Sequence, residues 1–194
     1  AKDNLVYLHY TTEDAVRKTT SNWFYKYQWD GNKLINPKLV KEIHGGNGMH
    51  NSGVMAMDAD GTVFMVMGDL GNRKGLLQNH ISGEPDDTSV IMPIDPPGSY
   101  YAIGIRNSYG LSFDPITGFL WDTENGHEAF DEINLVRKNF NSGWDQIQGP
   151  SSDNQKNIFS LEEFEYSDPE FSWEKPVGVT SIHFIQSPLF QEYH

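Results

Sequence analysis

Apolar and polar residues alternate along residues 4–10 and again along 23–29, with aromatic side chains taking many of the apolar positions. A period of two puts successive side chains on opposite faces of an extended chain, so both stretches predict half-buried β-strands. Asp30-Gly31 follows the second stretch as a tight-turn signal leading into residues 33–35, and the three together predict a meander. Residues 42–52, EIHGGNGMHNS, are too rich in Gly, Asn and His for a regular element and predict a loop. Residues 53–69, GVMAMDADGTVFMVMGD, resume the alternation on either side of the turn at 58–61.

The plan of residues 53–69 returns in residues 110–126, GLSFDPITGFLWDTENG. Each copy reads Gly, apolar, any, apolar, Asp, a turn ending in Gly, then an apolar strand closing on an acidic loop. GVTSIHF, residues 178–184, begins a third and weaker copy. Repeated units of short strands predict a β-propeller, the wide spacing of Gly53, Gly110 and Gly178 being taken up by long loops between blades; a β-sandwich with two similar hairpins is the competing pattern. Propellers close with about four to eight blades and this length holds about three, so residues 1–194 are expected to form a single partial propeller domain. An open ring would expose sheet edges, which makes a homodimer of two three-bladed halves related by a two-fold axis one way to complete it. Residues 71–97 and 149–160 are expected to be surface excursions.

Composition narrows the class. Of 194 residues 37% are hydrophobic and 13% aromatic, with 18 Gly and 10 Pro, which favours short strands and turns over helices: an all-β protein. The net charge of −13 argues against nucleic acid or an anionic membrane as partner, since phosphates would be repelled. There is no cysteine, hence no disulfide framework and no thiol nucleophile. No run approaches the ~18 apolar residues of a membrane span, and the first residues carry no signal-peptide pattern.

Candidate chemistry converges on residues 104–145, with one residue outside them. His50, in GMHNSG, stands on a flexible loop just before a strand, with His44 as its competitor; an imidazole titrates near working pH and suits proton transfer. Arg106-Asn107 close the apolar run 101–105 and would present a planar cation and an amide to a carboxylate-bearing ligand, or pair internally with an acid such as Asp122. Residues 123–132, TENGHEAFDE, offer carboxylates and Gly-exposed carbonyls, the hard oxygen ligands that calcium prefers, without the EF-hand pattern. No HExxH or G-x-S-x-G is present.

The order of these pieces is more specific than any one of them. HNSG before a D-x-D-G hairpin, then IRNSYGLSFDPITGFLW, TENG, DEINLV with NSGW, and FSWEKPVGVTSIHF, resembles the pyrroloquinoline-quinone (PQQ) dependent glucose/sorbosone dehydrogenase family over nearly the whole chain. The resemblance implies a six-bladed propeller with its site at the top of the central channel, to which this chain would supply the middle blades. It implies oxidation of an aldose at the anomeric carbon to the lactone, with PQQ and calcium as cofactors and a periplasmic or extracellular location. By position, His50 would be the general base, Arg106 and Asn107 would contact PQQ, and Trp173 would stack near the sugar and PQQ planes. Backbone carbonyls of Gly126 and His127 would hold the calcium beside PQQ, and Asp131 and Glu132 a second, structural calcium.

The departures from the family pattern point to a different reading. His127 stands where a proline is usual, Met49 where some members have an acid, Val54 where an arginine is common, and Asn141-Ser142-Gly143-Trp144-Asp145 where the family reads N-Y-G-W-P. The family's later PQQ-clamping basic residues would lie beyond His194 and an early sugar contact before Ala1. A noncatalytic propeller module that binds a protein or a glycan is the alternative expectation.

Overall fold

The computed structural model describes residues 4–46, 48–71, 74–151 and 161–185. The first alternating stretches form β1 (Leu5–Asp14), β2 (Thr19–Trp29) and β3 (Leu34–His44), an antiparallel meander in the order β1-β2-β3. Strand β3 runs further than its polar sequence suggests. Residues 42–44, expected in a loop, are still laddered to β2 because Ile43 pairs with Asn22 and is buried to 2% exposure.

The second sheet begins with β4 (Met55–Met57), β5 (Val63–Met67), β6 (Val90–Asp95) and β7 (Ala102–Ile103), each antiparallel to the one before. The third contains β8 (Ser108–Phe113), β9 (Leu120–Glu124) and β10 (Asp131–Val136). Strand β11 (Phe140–Asn141) then returns to the second sheet, pairing parallel with β7 and with β12 (Glu165–Tyr166), and β13 (Phe171–Trp173) adds to the outside of β10. Residues 178–184, read as a third repeat, form no strand among the described residues.

Strand β5 explains how the sheets are held. All five residues of VFMVM are buried, the continuous apolar run of a strand covered on both faces. Val63, Met65 and Met67 join Phe24, Ile43, Val90 and Ile103 in a core against the first sheet. Phe64 and Val66 join Ile91, Ile105, Leu111, Leu120 and Val136 in a core against the third. Phe64 meets Tyr101 and Phe113 edge-on, with ring centroids 5.3 and 5.4 Å apart. Three sheets thus stack face to face through two cores, and the architecture is all-β, a partial six-bladed propeller. Polar ties supplement the first core: Lys26 Nζ and Tyr7 Oη both lie 2.5 Å from Asp95 Oδ2, across from one sheet to the next.

The stretch 71–97 departs from the expected surface excursion within residues 74–95, with 90–95 forming the largely buried β6, whereas residues 152–160 of the other expected excursion lie outside the described residues. It contains a 3₁₀ turn, Leu76–Gln78, and Leu77, Gln78 and Asn79 are all buried. Its polarity is spent internally: Gln78 Nε2 donates to Thr88 Oγ1 at 2.9 Å and to Ser89 Oγ at 2.7 Å. No helix among the described residues is long and apolar enough to cross a membrane.

Candidate functional site

Stacking the sheets brings three loop regions to one place. The β3–β4 loop carries His50, the end of β5 carries Asp69, and the β7–β8 junction carries Arg106. Gly68 lets them meet: a Cβ there would stand 2.4 Å from the His50 carbonyl and 2.7 Å from that of Arg106. The loop before β4 is held from beneath. Asn22, wholly buried, donates from Nδ2 to Asn51 Oδ1 at 2.9 Å, and the Ser108 N–H donates to Ser52 Oγ at 3.2 Å.

His50 is paired through both ring nitrogens. Nδ1 lies 2.5 Å from Oδ1 of Asp69, a fully buried carboxylate, and Nε2 lies 3.2 Å from Arg106 Nη2. An ionised carboxylate only accepts and a guanidinium only donates, so the proton is on Nδ1 and the lone pair on Nε2. That is the tautomer a general base needs, with the carboxylate in place to stabilise the imidazolium that proton uptake would create. Asp69 is itself fixed by two further donors, the Gly71 N–H at 2.8 Å on Oδ1 and Trp144 Nε1–H at 2.9 Å on Oδ2.

Arg106 spans the site. Its Nη1 donates to the carbonyls of Asn125 at 2.7 Å and Gly126 at 2.8 Å, its Nη2 lies 3.5 Å from His127 Nδ1, and its Cζ sits 5.3 Å from the centre of the Trp144 ring. Its backbone N–H donates to Glu124 Oε1 at 2.5 Å, and Glu124 Oε2 accepts from Ser142 Oγ at 2.6 Å. The internal ion pair with Asp122 does not form; Asp122 accepts instead from the Ser108 hydroxyl.

The fit to a hard cation and a carboxylate-bearing cofactor rests on two observations. The Asn125 and Gly126 carbonyls already converge on one positive group, the Arg106 fork. Gly126 is required for that bend, since a Cβ would come 1.9 Å from the Ala129 carbonyl oxygen. Asn107, 9% exposed, has a buried Oδ1 with no partner among the described residues, a polar atom left for a ligand. Side chains offer less: no group of three or more His, Asp or Glu in a metal-binding arrangement occurs among the described residues.

The remaining residues singled out in the sequence lie at the edge of this cluster. Asp131 pins the loop, its Oδ1 accepting from the Gly126 N–H at 3.0 Å and its Oδ2 from the N–H groups of Val177 and Gly178 at 2.8 and 2.6 Å. Glu132 Oε1 accepts from the Gly149 N–H at 2.6 Å. Trp173 lies on the outer strand β13 opposite Asp131, its ring 4.7 Å from that of Phe171. The indole packed on Arg106 is that of Trp144.

Beneath Arg106, strands β9 and β10 carry three buried carboxylates, Asp122, Glu124 and Glu132. Burial pushes Asp122 and Glu132 up to about 7 against the partial relief of Ser108 and of the Gly149 N–H, respectively. Glu124 is raised well above the usual range by burial, then by repulsion from Glu132 and Asp122.

Comparison with known proteins decides the lineage. The sequence profile of the Glucose / Sorbosone dehydrogenase family matches residues 1–194. The chain belongs to the glucose/sorbosone dehydrogenase family. It is 32% identical over 108 residues to the aldose sugar dehydrogenase YliI of Escherichia coli, a match covering 50% of this chain and 29% of that protein. The crystal structure of the soluble aldose sugar dehydrogenase of E. coli in its apo form superposes with a TM-score of 0.78 at 19% identity, covering 99% of this chain and 60% of that one. The PQQ-bound aldose sugar dehydrogenase of Streptomyces coelicolor superposes at 0.66 with 25% identity, covering 89% and 50%. The chain therefore spans well under two thirds of these glucose/sorbosone dehydrogenase relatives.

Two members of the cluster, Asp69 and Trp144, were not singled out from the sequence. Asp69 had a signal: an acid closing the wholly apolar run of β5 must be paired if it is buried. Trp144 stood in the NSGW motif without a role, because its partner lies 75 residues away in the chain.

Proposed function

We propose that this member of the family oxidises an aldose at C1 to the lactone, using PQQ and calcium, and that it works in the periplasm or outside the cell. The observation that carries the reading is the convergence of a carboxylate-oriented imidazole, a planar cation and a two-carbonyl cradle on one site. In this reading His50 Nε2 takes the C1 hydroxyl proton while Asp69 holds the ring and balances the charge that develops. Arg106 and Asn107 would orient the cofactor, and the Gly126 carbonyl, with that of His127 by resemblance, would hold the cation. When bound, PQQ would supply the two-electron acceptor and calcium the Lewis acidity that polarises it.

The Gly126 carbonyl that would hold a cation now accepts from Arg106, so the fork would leave that oxygen to meet a carboxylate of the cofactor. The second calcium assigned by resemblance to Asp131 and Glu132 would have to share carboxylates that already hold backbone N–H groups. The name of the S. coelicolor relative supports the choice of PQQ.

The test is a dye-linked aldose oxidation assay with added PQQ and calcium. Activity should require PQQ and fall about 10²-fold or more in His50→Ala, the usual weight of a positioned base. Full activity in that variant would overturn the role of His50, and failure to bind PQQ even in excess calcium would overturn the cofactor assignment.

A further inference from the structure

We propose that Trp144 is the positioning residue that couples the two halves of this site: its indole N–H fixes the carboxylate that orients His50, while its ring supports the guanidinium of Arg106. The inference rests on the functional reading above and adds to it a residue that the motifs had left without a role.

Asp69 is fully buried, so each of its oxygens needs a donor. Oδ1 serves His50 Nδ1–H and the Gly71 N–H, and the donor on Oδ2 is Trp144 Nε1–H at 2.9 Å. Indole suits this place because it donates and cannot accept, so it never competes for the His50 proton. A lysine or arginine there would form an ion pair and draw the carboxylate away from the imidazole. The same ring lies 5.3 Å from Arg106 Cζ, within cation–π range. One rigid side chain with two rotatable bonds thus sets both the base and the cofactor contact.

The backbone of Trp144 is clamped accordingly. Its N–H donates to the Gly104 carbonyl at 3.1 Å, and its carbonyl accepts from Asn79 Nδ2 at 2.8 Å. Asn79 is locked to Asn141 by reciprocal amide hydrogen bonds of 2.6 and 3.0 Å, and Asn141 Oδ1 also accepts the Gly143 N–H at 2.9 Å. Asn79, Asn141 and Trp144 are each buried to 3% exposure or less. This clamp explains why a polar Asn-Ser-Gly-Trp segment sits in the interior.

A residue that merely fills the core would not control the His50 proton, and that is the quantity to measure. The experiment is ¹⁵N NMR of histidine-labelled purified protein without PQQ or sugar, comparing wild type, Trp144→Phe, and a variant with benzothienylalanine at position 144. The last keeps the shape of indole and lacks the N–H, so loss of packing is separated from loss of the donor. Wild type should show His50 as the Nδ1–H tautomer with a solvent-protected proton. Both variants should exchange that proton about tenfold faster or more, the scale of one lost buried hydrogen bond. Folded variants that keep the wild-type His50 signals would overturn the proposal. Because no cofactor is present, a protein that fails to bind PQQ would sink the functional reading and leave this result standing.

Discussion

At the scale of the residue, His50 is useful only through its neighbours. Asp69 holds Nδ1, and Nε2, which faces Arg106, would meet a ligand only by displacing that contact. Arg106 makes the sharper prediction, because the proposal has its fork trade the Gly126 carbonyl for a cofactor carboxylate. Arg106→Ala should weaken PQQ binding more than tenfold, about 2 kcal/mol for a charge-assisted bidentate contact, as measured by equilibrium titration in saturating calcium. In the absence of PQQ the same substitution should tighten calcium binding, since the Gly126 carbonyl loses its competing donor. An unchanged PQQ affinity would remove Arg106 from the cofactor site, and unchanged or weaker calcium binding would remove the competition. The order of the family-like motifs pointed to His50, Arg106 and Gly126, and the structure places these three side by side. Asp69 showed only as an acid closing an apolar run and Trp144 as part of a motif, because their contacts join residues 19 and 75 positions apart.

At the scale of the element, period-two alternation was enough to read β1, β2 and the hairpin β4–β5, where local pattern and burial agree. It failed where polar side chains are buried against one another. Gln78, Thr88 and Ser89 satisfy themselves internally, and a segment with their composition reads as surface until those bonds are seen. Strands β9 and β10 show the cost of such burial. Asp122 is raised to about 7, chiefly by burial, and an unfolded aspartate titrates near 4. The folded protein therefore holds a proton that the unfolded chain has released between about pH 4 and 7. The stabilising effect of that proton is complete below about pH 4 and is lost as pH rises through about 7. Asp122→Asn, which still accepts the Ser108 hydroxyl, should flatten the fall in melting temperature between about pH 4 and 7. An equally steep fall in that variant would show that Asp122 does not carry the dependence. In the core, Met65→Ala should cost about 2–5 kcal/mol in denaturant titration, because Met65 has no exposed surface and β5 is packed on both faces. A cost under about 1 kcal/mol would contradict the two-core arrangement.

At the scale of the whole molecule, stacked sheets carry strands whose connecting loops bring His50, Asp69, Arg106 and Gly126 together, with Asp131, Glu132 and Trp173 at the edge. The repeat between residues 53–69 and 110–126 made the stacked architecture legible, since those segments become β4–β5 and β8–β9. The weaker repeat at 178–184 did not extend it, since that segment forms no strand among the described residues. A ligand that binds the folded chain must also stabilise it, so PQQ with calcium should raise the melting temperature, and that rise should shrink in Arg106→Ala. The most direct measurement is a crystal structure of the protein grown with PQQ and calcium. The account predicts PQQ beside His50 Nε2 with Arg106 and Asn107 on the cofactor and a cation on the Gly126 carbonyl. PQQ bound at a place remote from His50, or a cation site that leaves Arg106 on the Gly126 carbonyl, would contradict it.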